Sequence, residues 1–158
     1  RNGVVYETDP FESDVEVTGN LRVVVWISMN VPDTDFQVCI YEVASDQSSI
    51  ILTDAMLRVR YRDSLTTESL VKPGEITRYD FGPFQFFARQ IGSGSRLRLV
   101  LQCVNSIYFQ NNYNSGGIVA PDTPTDARTE HLTVPQNSSY ASFLEMPIAA
   151  LRRTLCRG

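Results

Sequence analysis

Two carboxylates, Asp33 and Asp35, stand two positions apart in the stretch Val-Pro-Asp-Thr-Asp-Phe, where an apolar run breaks and at once resumes. Polar groups in such a corner could hold a metal, work as acid and base, or turn the chain. No third acidic or histidine ligand lies nearby in sequence. Aspartate accepting free backbone N–H groups in a turn, with Pro32 presetting the bend, is therefore the stronger reading. The chain has a single histidine, His131, so any histidine-dependent mechanism must use it. Without a companion motif it reads as a structural or surface residue. No Gly-x-Ser-x-Gly elbow occurs, which leaves no visible nucleophile. Gly92-Ser93-Gly94 begins like a dinucleotide fingerprint, but Leu97 stands at the sixth position and no helix follows, so a hairpin turn is expected. Arg58, Arg60 and Arg62 alternate along one stretch. They could grip an acidic ligand, although a stripe neutralised by carboxylates on neighbouring strands is the simpler expectation.

Bulk properties bound what these residues can serve. At 158 residues the chain is one domain's worth, long enough to bury a core. A net charge of −4 argues against a phosphate-backbone partner, and no apolar run is long enough for a membrane-spanning helix. Of 14 cations only Lys72 is lysine, a bias that planar ion pairing or base composition would each explain. The three cysteines, Cys39, Cys103 and Cys156, have neither zinc spacing nor an even count. They point to small apolar roles in a reducing, cytoplasmic compartment; the sequon at Asn137 is too short to change that. The first residues lack the basic-then-apolar pattern of a secretory signal, so either a signal has been removed or the sequence begins within a longer protein.

Alternation is the main structural signal. Leu21, Val23, Val25, Ile27 and Met29 share one side of a strand over 21–29; Phe36, Val38 and Ile40 repeat the pattern after the corner. Strands are also predicted over 57–62 and 96–104, with Leu97, Leu99, Leu101 and Cys103 inward. Shorter ones are expected over 4–7, 15–18, 50–52, 76–81, 131–134 and 142–146. Polar turns separate them, so the class is all-β, a sandwich or a barrel. A short helix is predicted over 149–156, where Leu151 and Leu155 stand four apart and arginines suit a helix end. The run 105–129, with Asn105, Asn111, Asn112 and Asn114, a glycine pair and two prolines, is too long for a structureless loop unless it is functional or pinned to a neighbour.

The ordered motifs go further than composition. VEVTGNLRVVVWISMNVPDTDFQVCIYEV (15–43), LTDAMLRVRYRDSL (52–65), VKPGEI (71–76), GSRLRLVLQCVNSIYFQNNYNSGG (94–117) and SSYASFLEMPI (138–148) together resemble the C-terminal domain of X-Pro dipeptidyl-peptidase and cocaine-esterase-like (CocE/NonD) hydrolases. The resemblance implies a jelly-roll β-sandwich of the galactose-binding-domain-like kind over 1–148, followed by a tail over 149–158. It implies a partner in the same polypeptide, an α/β-hydrolase domain supplying serine, aspartate and histidine, with no catalytic, metal or cofactor residue in this chain. It also implies an additional segment before Val4, without which an edge of the sandwich is missing. The expected role is that of an accessory domain packing on the catalytic domain, shaping its cleft and aiding dimerisation. Tyr108, Phe109, Asn111, Asn112, Tyr113 and Asn114, with Phe84, Phe86 and Phe87, are the expected packing residues. The alternative is a carbohydrate-binding module, using Tyr113 for stacking and Asn112 and Asn114 for sugar hydroxyls.

Overall fold

The computed structural model describes residues 3–104 and 106–150. Asn105, Cys156 and the part of the expected C-terminal helix over 151–156 lie outside the described residues. Among the described residues eleven strands run β1 (Gly3–Glu7), β2 (Val15–Gly19), β3 (Arg22–Met29), β4 (Asp35–Val43), β5 (Ser49–Arg58), β6 (Ile76–Phe81), β7 (Phe87–Ile91), β8 (Arg96–Cys103), β9 (Leu132–Thr133), β10 (Phe143–Glu145) and β11 (Ile148–Ala150). No α-helix occurs among the described residues, and no helix is long and apolar enough to cross a membrane.

One layer is the antiparallel sheet β1-β8-β4-β5. The other is a layer broken into two halves, β10-β3-β6 and β11-β2-β7, whose orders correspond strand for strand. β2 leads into β3, β6 into β7 and β10 into β11, and all three break at one level. At that level Phe84 N donates to Leu21 O at 3.0 Å and Asn20 Nδ2 to Phe84 O at 2.7 Å, so the break is itself hydrogen-bonded. Gly19 permits it: at φ +140, a Cβ there would stand 2.8 Å from Pro147 Cγ. The result is an all-β jelly-roll sandwich.

The predicted inward face of β3 is the core: Leu21, Val23, Val25, Ile27 and Met29 are buried against Phe36, Val38, Ile40, Leu97 and Leu101. Val24, on the other side of β3, is buried too, and Trp26 meets Tyr140 edge-on at 5.3 Å. Three sequence expectations need correction. Ala149 does not begin a helix, because it pairs with Glu16 of β2, and strand pairing there outweighs local helix propensity. The turn at Gly92–Gly94, closed by Ser95 N on Gly92 O with Gly94 at φ +83, joins β7 to β8 in the opposite layer and is no hairpin. The strand expected over 57–62 ends at Arg58 and gives way to a 3-10 turn, Val59–Tyr61.

Tyr79 sits at the centre of the core, its ring edge-on to Phe36 at 5.4 Å, and its hydroxyl has no hydrogen-bond partner among the described residues. Burial pushes its pKa from the ordinary 10.0 up to about 12. The native state then keeps a proton that the unfolded chain loses above pH 10, so stability is intact below pH 10 and falls as pH rises toward 12, by about 2–3 kcal/mol. We expect Tyr79→Phe to remove that alkaline loss in pH-dependent urea denaturation. At pH 7 it should leave stability unchanged or slightly higher, since an unpaired buried hydroxyl is deleted. A loss above about 2 kcal/mol at pH 7 would instead mean that the hydroxyl is bonded in the native state.

Candidate functional site

The corner between β3 and β4 is held from both sides by core residues, Val31 and Phe36. The last rung between β4 and β5 is Asp35 opposite Arg58, and beyond it β4 has no residue left to pair. The chain after Arg58 therefore bonds to the corner instead of to a strand. Val59 N donates to Thr34 O at 2.9 Å, and Arg60 N donates to Asp33 Oδ1 at 2.9 Å. Asp33 thus accepts a backbone N–H, as an aspartate in a turn does, but one from a distant segment and not from its own bend.

The three arginines consequently part company. Arg58 holds Asp35 in a two-pronged pair, Nε to Oδ1 and Nη2 to Oδ2, both at 2.8 Å. Arg62 donates to the carbonyls of Val59 and Ser69. Arg60, only 3% exposed, points inward and reaches three segments at once. Its Nε donates to Asp33 Oδ2 at 2.7 Å, Nη1 to Glu68 Oε2 at 3.3 Å and Nη2 to Gly117 O at 2.8 Å. Burial opposes the guanidinium charge, but the hydrogen bond and charge of Asp33, helped by Glu68, outweigh it and raise the Arg60 pKa. A buried pair of this kind contributes little relative to apolar packing, yet removing one partner costs about 3–5 kcal/mol because the other is stranded. Its value here is geometric, as a planar fork accepts few arrangements.

The asparagine-rich run is pinned to the same corner. Asn112 Nδ2 donates to Asp33 Oδ2 at 2.8 Å and to Asp35 Oδ1 at 3.0 Å, while its Oδ1 accepts from Asn114 N. Asn114 Nδ2 donates to Arg128 O, and Gln110 Oε1 accepts from Arg58. Farther along, Thr34 Oγ1 donates to Glu130 Oε2 at 2.7 Å, and Asn30 Oδ1 accepts from His131 N at 2.6 Å. Gly116, at φ +80, lies so close to the corner that a Cβ would stand 2.6 Å from Pro32 Cγ. Each carboxylate oxygen of Asp33 and Asp35 thus accepts at least one N–H donor. No group of three or more histidine, cysteine, aspartate or glutamate side chains is placed to hold a metal among the described residues.

The residues expected from sequence to pack on a neighbour fall in different places. Tyr108, 86% exposed, and Phe109 stand out from the pinned loop beside the exposed Asn111. Asn112 and Asn114 are bound within it, and Tyr113 is half-buried with its carbonyl accepting from Arg128 N. Phe84 is 2% exposed and belongs to the core, which leaves it no area to offer. Phe86 and Phe87 line a shallow site with Ile51 and Leu52, about 20 Å along β5 from Arg58. Four apolar side chains at the knotted end escaped sequence reasoning: Leu65, Leu70, Ile107 and Ile118, all exposed. Leu65 stands alone in a polar run, whereas Leu70, Ile107 and Ile118 each open a short apolar cluster, which was the available signal. A separate apolar cleft of about 440 Å3 opens between the sheet edges β1 and β10, lined by Tyr6, Ile40, Leu99 and Phe143 among others.

Residues 1–144 match the family described as the X-Pro dipeptidyl-peptidase C-terminal non-catalytic domain. The cocaine esterase of Rhodococcus sp. (strain MB1 Bresler) is 27% identical over 144 residues, which are 90% of this chain and 25% of that protein. An aminopeptidase from a marine-sediment Thaumarchaeota archaeon superposes with a TM-score of 0.87 at 19% identity, covering 94% of this chain and 26% of that one. An α-amino acid ester hydrolase superposes at 0.86 with 17% identity, again over 94% and 26%. A CocE/NonD family hydrolase from Staphylococcus aureus does so at 0.68 with 18% identity, over 93% and 30%. These structural likenesses show the shared fold, and the chain spans about a quarter of the relatives' length.

Two glycines test the close approach at the corner. Gly74 and Gly116 share nearly the same positive φ, +85 and +80, but a Cβ on Gly74 meets nothing within 4 Å. In thermal or urea unfolding we expect Gly74→Ala to cost about 1 kcal/mol, the left-handed backbone strain alone. Gly116→Ala should cost about 2–4 kcal/mol, because Pro32 cannot yield without moving the knot. Equal losses would show that the loop does not rest on Pro32.

Proposed function

This chain belongs to the X-Pro dipeptidyl-peptidase C-terminal non-catalytic domain family, and on that premise we propose that it is the accessory domain of a larger serine hydrolase of the α/β-hydrolase type. In this reading it packs on the catalytic domain of the same polypeptide, shapes the mouth of its cleft and contributes to dimerisation. The parent cleaves an acyl bond in an ester, an amide or an X-Pro peptide. The observation that carries the reading is an apolar loop tip, Ile107-Tyr108-Phe109, exposed on a loop that hydrogen bonds from Asn112 and Arg60 hold in place. Such a tip costs free energy in water unless a neighbour covers it.

The apolar cleft between β1 and β10 suits the additional upstream segment that the family resemblance implies, since both flanking strands are sheet edges. The dimerisation role draws support from the open edge of β5, where Ile50 and Ile51 are exposed. Two unbridged cysteines, Cys39 and Cys103, favour a reducing, cytoplasmic compartment. The carbohydrate-binding alternative loses ground because the amide donors of Asn112 and Asn114 are committed inside the loop.

The test is to capture the natural protein from its source lysate with an antibody against this chain and treat it with a fluorophosphonate probe for activated serines. We expect a labelled polypeptide about four times the length of this chain, as in its relatives. An unlabelled protein of this chain's own size would contradict the reading, as would ester hydrolysis by the chain alone that His131→Ala abolishes.

A further inference from the structure

We draw no further inference here: the strongest candidate, the apolar cleft between the open edges of β1 and β10, belongs to the accessory-domain reading already given, and nothing in the structure shows what else covers it.

Discussion

The buried contact between the Arg60 guanidinium and the Asp33 carboxylate sets the conditions for everything at its end of the sandwich. Taking either charge out of water alone is costly, and the pairing offsets that cost. Once paired, the guanidinium has two further faces that need acceptors, and Glu68 and Gly117 supply them. The carboxylate needs donors besides Arg60 and finds one in Asn112, which also serves Asp35. A charge buried to turn a corner thereby ties down two long loops, one of which carries the exposed tip Ile107-Tyr108-Phe109.

The rest of the fold makes that arrangement possible by stopping where it does. β4 begins at Asp35, so β5 has no partner beyond Arg58 and its next residues are free to bend into the corner. On the opposite layer three strands break at one level, with Gly19 and the 82–86 segment forming the hinge of hydrogen bonds. The sandwich is thus continuous in one layer and interrupted in the other, with the core residues Leu21 and Phe84 at the interruption.

Much of this was legible in the sequence, and the failures are instructive. Strict alternation found β3, β4 and β8, because one side of each strand faces the core. β7 was missed because only Ile91 in it is buried, so it carries no period to detect. Arg58, Arg60 and Arg62 continue a perfect alternation, but periodicity cannot reveal that the partner strand has run out. The motifs Pro-Asp-Thr-Asp-Phe, Leu-Arg-Val-Arg-Tyr-Arg and Asn-Ser-Gly-Gly read as three separate signatures, yet they are three sides of one knot: Asp33 and Asp35, Arg58 and Arg60, and Gly116 resting on Pro32. Their meeting depends on pairing between segments far apart in the chain, which no local pattern encodes. Asn112 and Asn114 pin the loop, and the apolar tip Ile107-Tyr108-Phe109 is what the pinning displays.

The most direct test of this account is an experimental structure of the full natural polypeptide. The Tyr108 ring and the Ile107 side chain are expected within about 4.5 Å of residues of the upstream catalytic domain. A structure in which the Ile107-Tyr108-Phe109 tip faces solvent, and the upstream domain is seated on another face of the sandwich, would contradict it.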